Sequence, residues 1–309
     1  MGFVIPWNRR VSLSKELDRY DKKYYLVEEY KLFSESPEVK IMFTEEQIER
    51  YSRHIILKEV GGRGQLRLLQ GKVLIIGAGG LGSPVALYLA AAGVGTIGIA
   101  DADLVAISNL QRQVIHATPD LGKPKVESAR EKMEAINPDV RVVTHQTWIS
   151  AENIMEIIHD YDFVIDGTDN FAAKFLINDA CVMAGKPYSH GGVLHFIGQT
   201  MTVIPGESPC YRCIFPEPPP LDAIPTCAQA GVIGVLPGVI GTIQATEAIK
   251  YLLGVGKLLT GRLLVYDAEG LDFYSSPIAR QKKCPLCGEN PSILELRDEE
   301  GARNICEIP

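Results

Sequence analysis

Residues 73–84, VLIIGAGGLGSP, decide the fold of this chain. Val73–Ile76 is a short aliphatic run, the right length for a strand buried on both faces. Gly77, Gly79 and Gly82 follow at G-x-G-x-x-G spacing, with Gly80 between them. Ser83-Pro84 then predicts the opening of a helix, with a serine cap and a proline at the first helical position. Strand, glycine turn and helix in this order give the motif the context it requires. The glycines let backbone approach a phosphate, and free N–H groups at the helix start attract its charge. Gly93 is placed to end the helix, and Thr96–Ala100 supplies a second strand that stops on Asp101, a carboxylate suited to ribose hydroxyls. By itself this motif serves a nicotinamide dehydrogenase as well as an ATP enzyme.

The pattern continues outward on both sides. Val73 to Ala100 carries no charge, which raises the idea of a membrane helix, but seven glycines and Pro84 interrupt it. A buried βαβ unit is the reading that fits. Pro124–Ile136 reads as a helix, Arg141–Thr144 as a strand, and Asp162–Asp166 as a strand running into Gly167-Thr168-Asp169-Asn170. Strands alternating with helices predict an α/β fold with a doubly wound, mainly parallel, Rossmann-like sheet. Further on, Gln199–Ile204 and Leu263–Tyr266 read as strands, Thr242–Leu253 as a helix, and proline-rich Pro216–Pro225 as irregular. Thr44-Glu45-Glu46-Gln47 has capping-box spacing and predicts a helix through Arg53 and His54. Residues 1–40 stand apart as an N-terminal helical extension, with Leu13, Leu17, Tyr20, Tyr24 and Val27 at helical spacing behind a Ser12 cap. Residues 41–309 form the body.

Composition limits the function classes. Hydrophobic residues make up 46% and charged residues 22%, the balance of a soluble globular chain. With 31 Lys plus Arg against 38 Asp plus Glu, the net charge of -7 excludes the basic footprint of a nucleic-acid binder. MGFVIPWNRR does not read as a secretion signal, so the reducing cytoplasm is expected and the seven cysteines point to metal or catalysis before disulfides.

Four of those cysteines form two Cys-x-x-Cys knuckles, Cys210 and Cys213 in SPCYRCIFP and Cys284 and Cys287 in KKCPLCGEN. This spacing predicts a closed four-thiolate zinc site that staples a C-terminal β/helix region and leaves no open position for catalysis. A redox Cys-x-x-Cys usually occurs once, near a helix start. Cys227, in Ile224-Pro225-Thr226-Cys227-Ala228, is either a structural thiol or a chemically used one. Cys181 lies in a helical apolar run and reads as core, and Cys306 as incidental.

After the ribose position the chain gathers cations and amides. Asp101-Ala102-Asp103 runs into Ser108-Asn109-Leu110-Gln111-Arg112-Gln113 and then Gly122-Lys123-Pro124-Lys125. A triphosphate needs more positive charge than a dinucleotide pyrophosphate, and phosphoryl transfer rests on positioning and electrostatics. Asp166 and Asp169, at the carboxyl end of a parallel strand, offer oxygen ligands of the kind magnesium prefers. Each has a plainer reading too: lone Arg112 or Lys125 as solvated surface, Asn109 as a turn cap, Asp166 as the cap of the next helix.

Taken together, RYSRHI at 50–55, GAGGLGS at 77–83, DADLVAISNLQRQ at 101–113, GKPKVESA at 122–129, DGTDN at 166–170 and CYRCIFPEPPP at 210–220 resemble the ubiquitin-activating-enzyme-like adenylyltransferases of ThiF/MoeB type. The similarity covers about residues 41 to 297 and is most marked toward the enzymes that activate sulfur-carrier proteins. It implies a homodimer that joins ATP to the C-terminal carboxylate of a small ubiquitin-like sulfur carrier ending in Gly-Gly, for molybdopterin, thiamine or related cofactor synthesis. On that resemblance Gly77, Gly79, Gly80 and Gly82 cradle phosphate, Asp101 serves the ribose, Asp103 belongs to the same nucleotide site, and Asn109, Arg112 and Lys125 hold the phosphates, supported by Gln113. Asp169 would bind Mg2+, and Arg53 would reach from one subunit into the other's site. Cys227 would take the activated acyl group or join a persulfide relay. The second knuckle lies close to Pro309, so a separate sulfur donor is expected. No general base is needed, because a C-terminal carboxylate is already ionised at neutral pH.

Three rivals remain open at this point. An NAD-dependent oxidoreductase would use the same glycine loop but leaves Arg112, Lys125, Asp169 and the knuckles without a task. A zinc-stabilised binding protein would dock a ubiquitin-like partner without chemistry. A relative within the family would adenylate another peptide or metabolite carboxylate.

Overall fold

The carboxyl ends of three neighbouring strands lie level, and that alignment builds the site. In the computed structural model, which describes residues 43–220 and 231–298, β1 (Lys72–Ile76) pairs in parallel with β2 (Thr96–Ala100) on one side and β4 (Phe163–Asp166) on the other. Ile76 is in register with Ala100 and with Asp166, so the segments that begin at Gly77, Asp101 and Gly167 all leave the sheet at one edge. With β3 (Arg141–His145), β5 (Tyr188–Leu194), β6 (Ile197–Val203), β7 (Arg262–Asp267) and β8 (Asp272–Pro277), the order is β3-β2-β1-β4-β5-β6-β7-β8. The strand order reverses at β1, which makes this edge the topological switch point where open α/β sheets bind ligands.

The sheet is mixed. From β3 to β5 every pairing is parallel, and from β5 to β8 every pairing is antiparallel. The expected doubly wound sheet is therefore the first half only. The reading from sequence lacked β5, whose YSHGGVL carries two glycines and a histidine where a strand signature would need apolar residues. It also lacked β8, which is exposed along its whole length and so has no alternation to read.

Alternate residues of β1 point into separate cores. Val73 and Ile75 pack with helix α3 (Gly61–Gln70), α4 (Gly82–Ala92), α5 (Lys125–Ile136) and α8 (Val235–Leu253), through residues such as Leu68, Leu89, Met133 and Ala248. Leu74 and Ile76 pack with α6 (Ile154–His159) and α7 (Phe171–Met183), through Ile158, Phe175 and Ile177. Each such fully buried aliphatic side chain contributes about 1.5–3 kcal/mol. The uncharged stretch from Val73 to Ala100 is thus strand, helix and strand, and no helix among the described residues is long and apolar enough to cross a membrane.

Residues 43–49, which form the described part of an N-terminal unit, contain the capping box: Thr44 N–H donates to Gln47 Oε1 and Gln47 N–H to Thr44 Oγ1, both at 3.1 Å. The helix it opens, α1 (Glu45–Arg50), stops before Arg53, and α2 (Ser52–Ile55) follows as a separate turn. Tyr51 sits at the break, only 2% exposed, with its hydroxyl accepting from Asn137 Nδ2 at 2.9 Å. Helix α4 begins at Gly82 and carries no serine cap; Ser83 Oγ donates instead to Gly79 C=O at 2.6 Å. Gly93 ends that helix in the left-handed region, at φ +77°. Helix α8 starts at Val235, well before Thr242, with Pro237 in its first turn. The expected extension at 1–40, Cys227 and Cys306 lie outside the described residues.

Candidate functional site

At the switch point lies an open cleft, lined by the segments that follow β1, β2 and β4, where ligand sites of open α/β sheets form. Its back wall is the glycine loop. Gly77 sits at φ +99°, and a Cβ on Gly82 would stand 1.8 Å from the Gly77 carbonyl oxygen, so the loop folds over itself only with glycine at both places. Gly79 and Gly80 line the cleft, and Gly82 supports them from the helix start.

The loop is pinned by two groups. Asp101 Oδ2 accepts the Ala78 N–H at 2.8 Å, and its Oδ1 accepts the Asp103 N–H at 2.9 Å. The Ala78 carbonyl faces His116 Nε2 at 2.9 Å, so that nitrogen carries the proton, while Nδ1 accepts from the Ser128 hydroxyl at 2.8 Å. Burial lowers the His116 pKa and keeps the ring in this neutral form. His116 was not singled out from sequence: it matches no motif, and its partners lie 12 and 38 positions away.

The charged groups gather beside the loop. Lys125 Nζ lies 2.6 Å from Asp103 Oδ2 and 3.9 Å from Asp101 Oδ1. Burial works against its charge, but Asp101, Asp103 and Asp169 together outweigh that and raise its pKa. Burial pushes the Asp101 carboxyl up in spite of the pull of Lys125. Arg112 donates from Nη1 to the Ser108 carbonyl at 2.9 Å and also lines the cleft. Gln113 is buried against the same wall, yet its Oε1 finds no hydrogen-bond partner among the described residues. Turning the amide would present an NH2 donor at that point instead.

The two carboxylates offered for a cation part company. Asp169 is exposed and lines the cleft. Asp166 is fully buried beneath it, taking Thr168 N–H at 3.1 Å, Thr168 Oγ1 at 2.6 Å, Lys174 Nζ at 3.2 and 3.3 Å, and His190 Nδ1 at 2.8 Å. Burial alone would raise its pKa, but Lys174, His190 and Thr168 outweigh it and hold it at about 2. Asp166 does not cap the next helix. Asn170 does, accepting the Ala173 N–H at 2.8 Å.

Two expected residues stand outside the cleft. Arg53 is exposed on α2, and Asn109 accepts the Ala106 N–H at 3.0 Å through its side chain. The Asn109 carbonyl meanwhile accepts the N–H groups of Arg112 and Gln113, at 3.0 and 2.9 Å. Asn109 thus shapes the turn that presents both side chains. Thr147, Trp148 and Ile149 also line the cleft, and Trp148 is 57% exposed.

Cys210, Cys213, Cys284 and Cys287 come together on the α6–α7 side of the sheet, all buried, with their sulfurs within 4.8 Å of one another. The Sγ–Sγ separations are 3.7 Å for Cys210–Cys284 and 3.4 Å for Cys213–Cys287. Tetrahedral zinc with Zn–S of about 2.3 Å requires separations of about 3.8 Å, so the donor set fits that ion. The first knuckle is anchored by Tyr211 N–H to Asn178 Oδ1 at 2.8 Å and by Arg212 forked onto Asp179 at 2.7 and 2.6 Å. Cys181 is buried in core, as expected.

Residues 51–286 match the ThiF family. The chain belongs to that family. It is 48% identical over 263 residues to the sulfur carrier protein adenylyltransferase of Thermus thermophilus, covering 84% of this chain and 97% of that one. It is 49% identical to the SAMP-activating enzyme E1 of Haloferax volcanii, over 79% of this chain and 90% of the relative. Among solved structures, E. coli MccB with MccA-N7isoASN superposes with a TM-score of 0.67 at 25% identity, over 77% of this chain and 75% of that one. Trp148, which lines this ThiF-family cleft, and His116 and Lys174, which lie behind its lining, are residues that the sequence alone does not single out.

Proposed function

We propose that this protein joins ATP to the C-terminal glycine carboxylate of a small ubiquitin-like sulfur carrier, releasing pyrophosphate, in the synthesis of molybdopterin, thiamine or a related sulfur-containing cofactor. One observation carries the reading: the glycine loop, Asp101, Arg112, Lys125 and Asp169 all line one cleft at the strand ends. The 48% identity to a sulfur carrier protein adenylyltransferase over most of both chains supports it.

The residues divide the work. N–H groups of the glycine loop and the start of α4 take phosphate oxygens, and Asp101, held against the loop by Ala78 and Asp103, takes the ribose. The attacking carboxylate is already ionised, so none of these residues has to remove a proton from it. Arg112 and Lys125 stabilise the charge that builds on the α-phosphate as pyrophosphate leaves. The two carboxylates beside Lys125 keep it protonated and oriented until a phosphate competes for it. Asn109 holds the turn that presents Arg112 and Gln113. Asp169 would hold Mg2+, which supplies neutralising charge to the phosphates when bound.

The remaining assignments belong to the same proposal. The four clustered cysteines hold Zn2+ for stability. Arg53, exposed and outside its own cleft, acts across a homodimer in the partner's site. Cys227 takes the acyl group or a persulfide from a separate sulfur donor. Residues 41–309 form the adenylation domain behind the extension at 1–40, and the protein works in the cytoplasm. An NAD-dependent oxidoreductase leaves Arg112, Lys125 and Asp169 idle in the cleft. The test is ATP–pyrophosphate exchange with Mg2+ and a panel of carriers ending in Gly-Gly. Exchange dependent on one carrier is expected; no exchange with any of them, alongside tight NAD binding, would overturn the proposal.

A further inference from the structure

Beneath the cleft, one ammonium group is committed to three acceptors. Lys174, in the first turn of α7, is 7% exposed. Its Nζ donates to the Thr168 carbonyl at 2.8 Å, to the Gly191 carbonyl at 2.5 Å, and to the Asp166 carboxylate at 3.2 Å. A lysine has three donors and no acceptor, so this geometry uses its full capacity. Asp166 grips the same residue from the other side, accepting the Thr168 N–H and hydroxyl. Every polar group of Thr168 is therefore fixed from below, and the next residue in the chain is Asp169. Gly191 lies on β5, so the ammonium also ties that strand to the segment following β4.

We infer that Lys174 is a positioning residue, which fixes the Thr168 peptide and thereby the direction in which Asp169 is presented to the cleft. The inference rests on the role proposed above for Asp169 as a cation ligand. A buried ion pair is a poor device for stability alone, since apolar residues of similar volume often do as well without the desolvation cost. A core role would be met by a methionine. It would not require a donor aimed at two backbone carbonyls, one in the segment after β4 and one on β5. From sequence Lys174 looks like an ordinary helical lysine between Ala173 and Phe175.

The test compares K174M with K174R, which keeps the charge and donors. Readouts are Mg2+ dependence of ATP binding, amide exchange over residues 167–170, thermal midpoint, and pyrophosphate exchange. K174M is expected to need at least tenfold more Mg2+ for half-saturation, to exchange its 167–170 amides faster, and to lose about a hundredfold in kcat, the scale of a small misplacement. Its KM for ATP should change much less, and K174R should recover most of the loss. If K174M fails to fold, D166N/K174M, which leaves no lone buried charge, carries the same comparison. A folded variant with wild-type Mg2+ dependence, amide exchange and kcat overturns the inference. Should the wild type catalyse no exchange, the proposed reaction is wrong, but Mg2+-dependent binding and amide protection still decide the role of Lys174.

Discussion

The cleft and the cysteine cluster both gather polar side chains from distant parts of the chain, yet they are built in opposite ways. In the cleft, Asp169 is exposed, Gln113 Oε1 has no partner among the described residues, and the glycine loop offers backbone N–H groups. In the cluster, four buried sulfurs face one another, Cys213 and Cys284 also accept the N–H groups of Gln281 and Cys287, and the anchors Asn178 and Asp179 are themselves paired. Unfinished bonding leaves room for a reactant; finished bonding leaves none. The parallel half of the sheet, where strand ends line up, provides the first arrangement. The second ties Cys210 and Cys213 to Cys284 and Cys287, on either side of β7 and β8 in the chain.

This contrast breaks down if damage to the two regions has the same consequence. The largest expected effect is C284S, which should remove bound zinc from the purified protein by metal analysis. Losing a metal belongs with the exceptional destabilisations of about 4–5 kcal/mol. At about 2–4 °C per kcal/mol for a domain of this size, the thermal midpoint should fall by about 8–20 °C. An unchanged midpoint would mean the cluster is not a staple. D169A should do the reverse: pyrophosphate exchange falls by about 10²–10³, the scale for lost transition-state electrostatics, while the midpoint stays within about 2 °C. A D169A protein that unfolds early, or that turns over normally, would erase the distinction.

Smaller effects sharpen it. H116A frees the Ala78 carbonyl from its donor, a loss of about 1–3 kcal/mol, and should weaken ATP binding by about tenfold measured by calorimetry. Wild-type affinity would show that Asp101 alone holds the loop. The pH profile of stability has two parts. His116 and His190 have pKa values lowered below the ordinary histidine value, chiefly by burial, so they fold neutral. Their contribution is complete above the unfolded pKa of about 6.5 and is lost as pH falls below it toward their folded values. Asp166, held at about 2 against 3.8 unperturbed, contributes about 2 kcal/mol above pH 4. That share disappears between about pH 4 and pH 2. Urea midpoints followed from pH 7 to pH 3 should decline in these two stages, and a flat profile down to pH 4 would contradict the neutral-histidine account.

How much of this was legible depended on whether a role is set by spacing or by a neighbour. The glycine loop, Asp101, Lys125 and the cysteine knuckles follow from local order, because strand, turn and helix must occur in that sequence for the chemistry to work. Spacing alone did not separate Asp166 from Asp169; the family resemblance put the cation on Asp169, and the fold decides that Asp169 faces solvent while Asp166 is buried. His116 and Lys174 were invisible, because the carbonyls of Ala78, Thr168 and Gly191 acquire their partners only after tertiary packing. Strand β5 escaped because Gly191 gives up its side chain to the Gln244 amide, whose oxygen lies 2.6 Å from where a Cβ would stand. Asn109 was read as a phosphate ligand or a turn cap. Its side chain makes the second contact, in the turn that carries Arg112.

The central claim is that the open cleft activates a carboxylate with ATP. The most direct measurement is intact mass spectrometry of Gly-Gly-ended carriers after incubation with this protein, ATP and Mg2+. The account predicts that one carrier gains a single AMP on its C-terminal glycine, that the adduct is lost with D169A, and that C227A leaves it unaffected. Absence of any adduct across the panel, with NAD bound tightly in the same cleft, would contradict it.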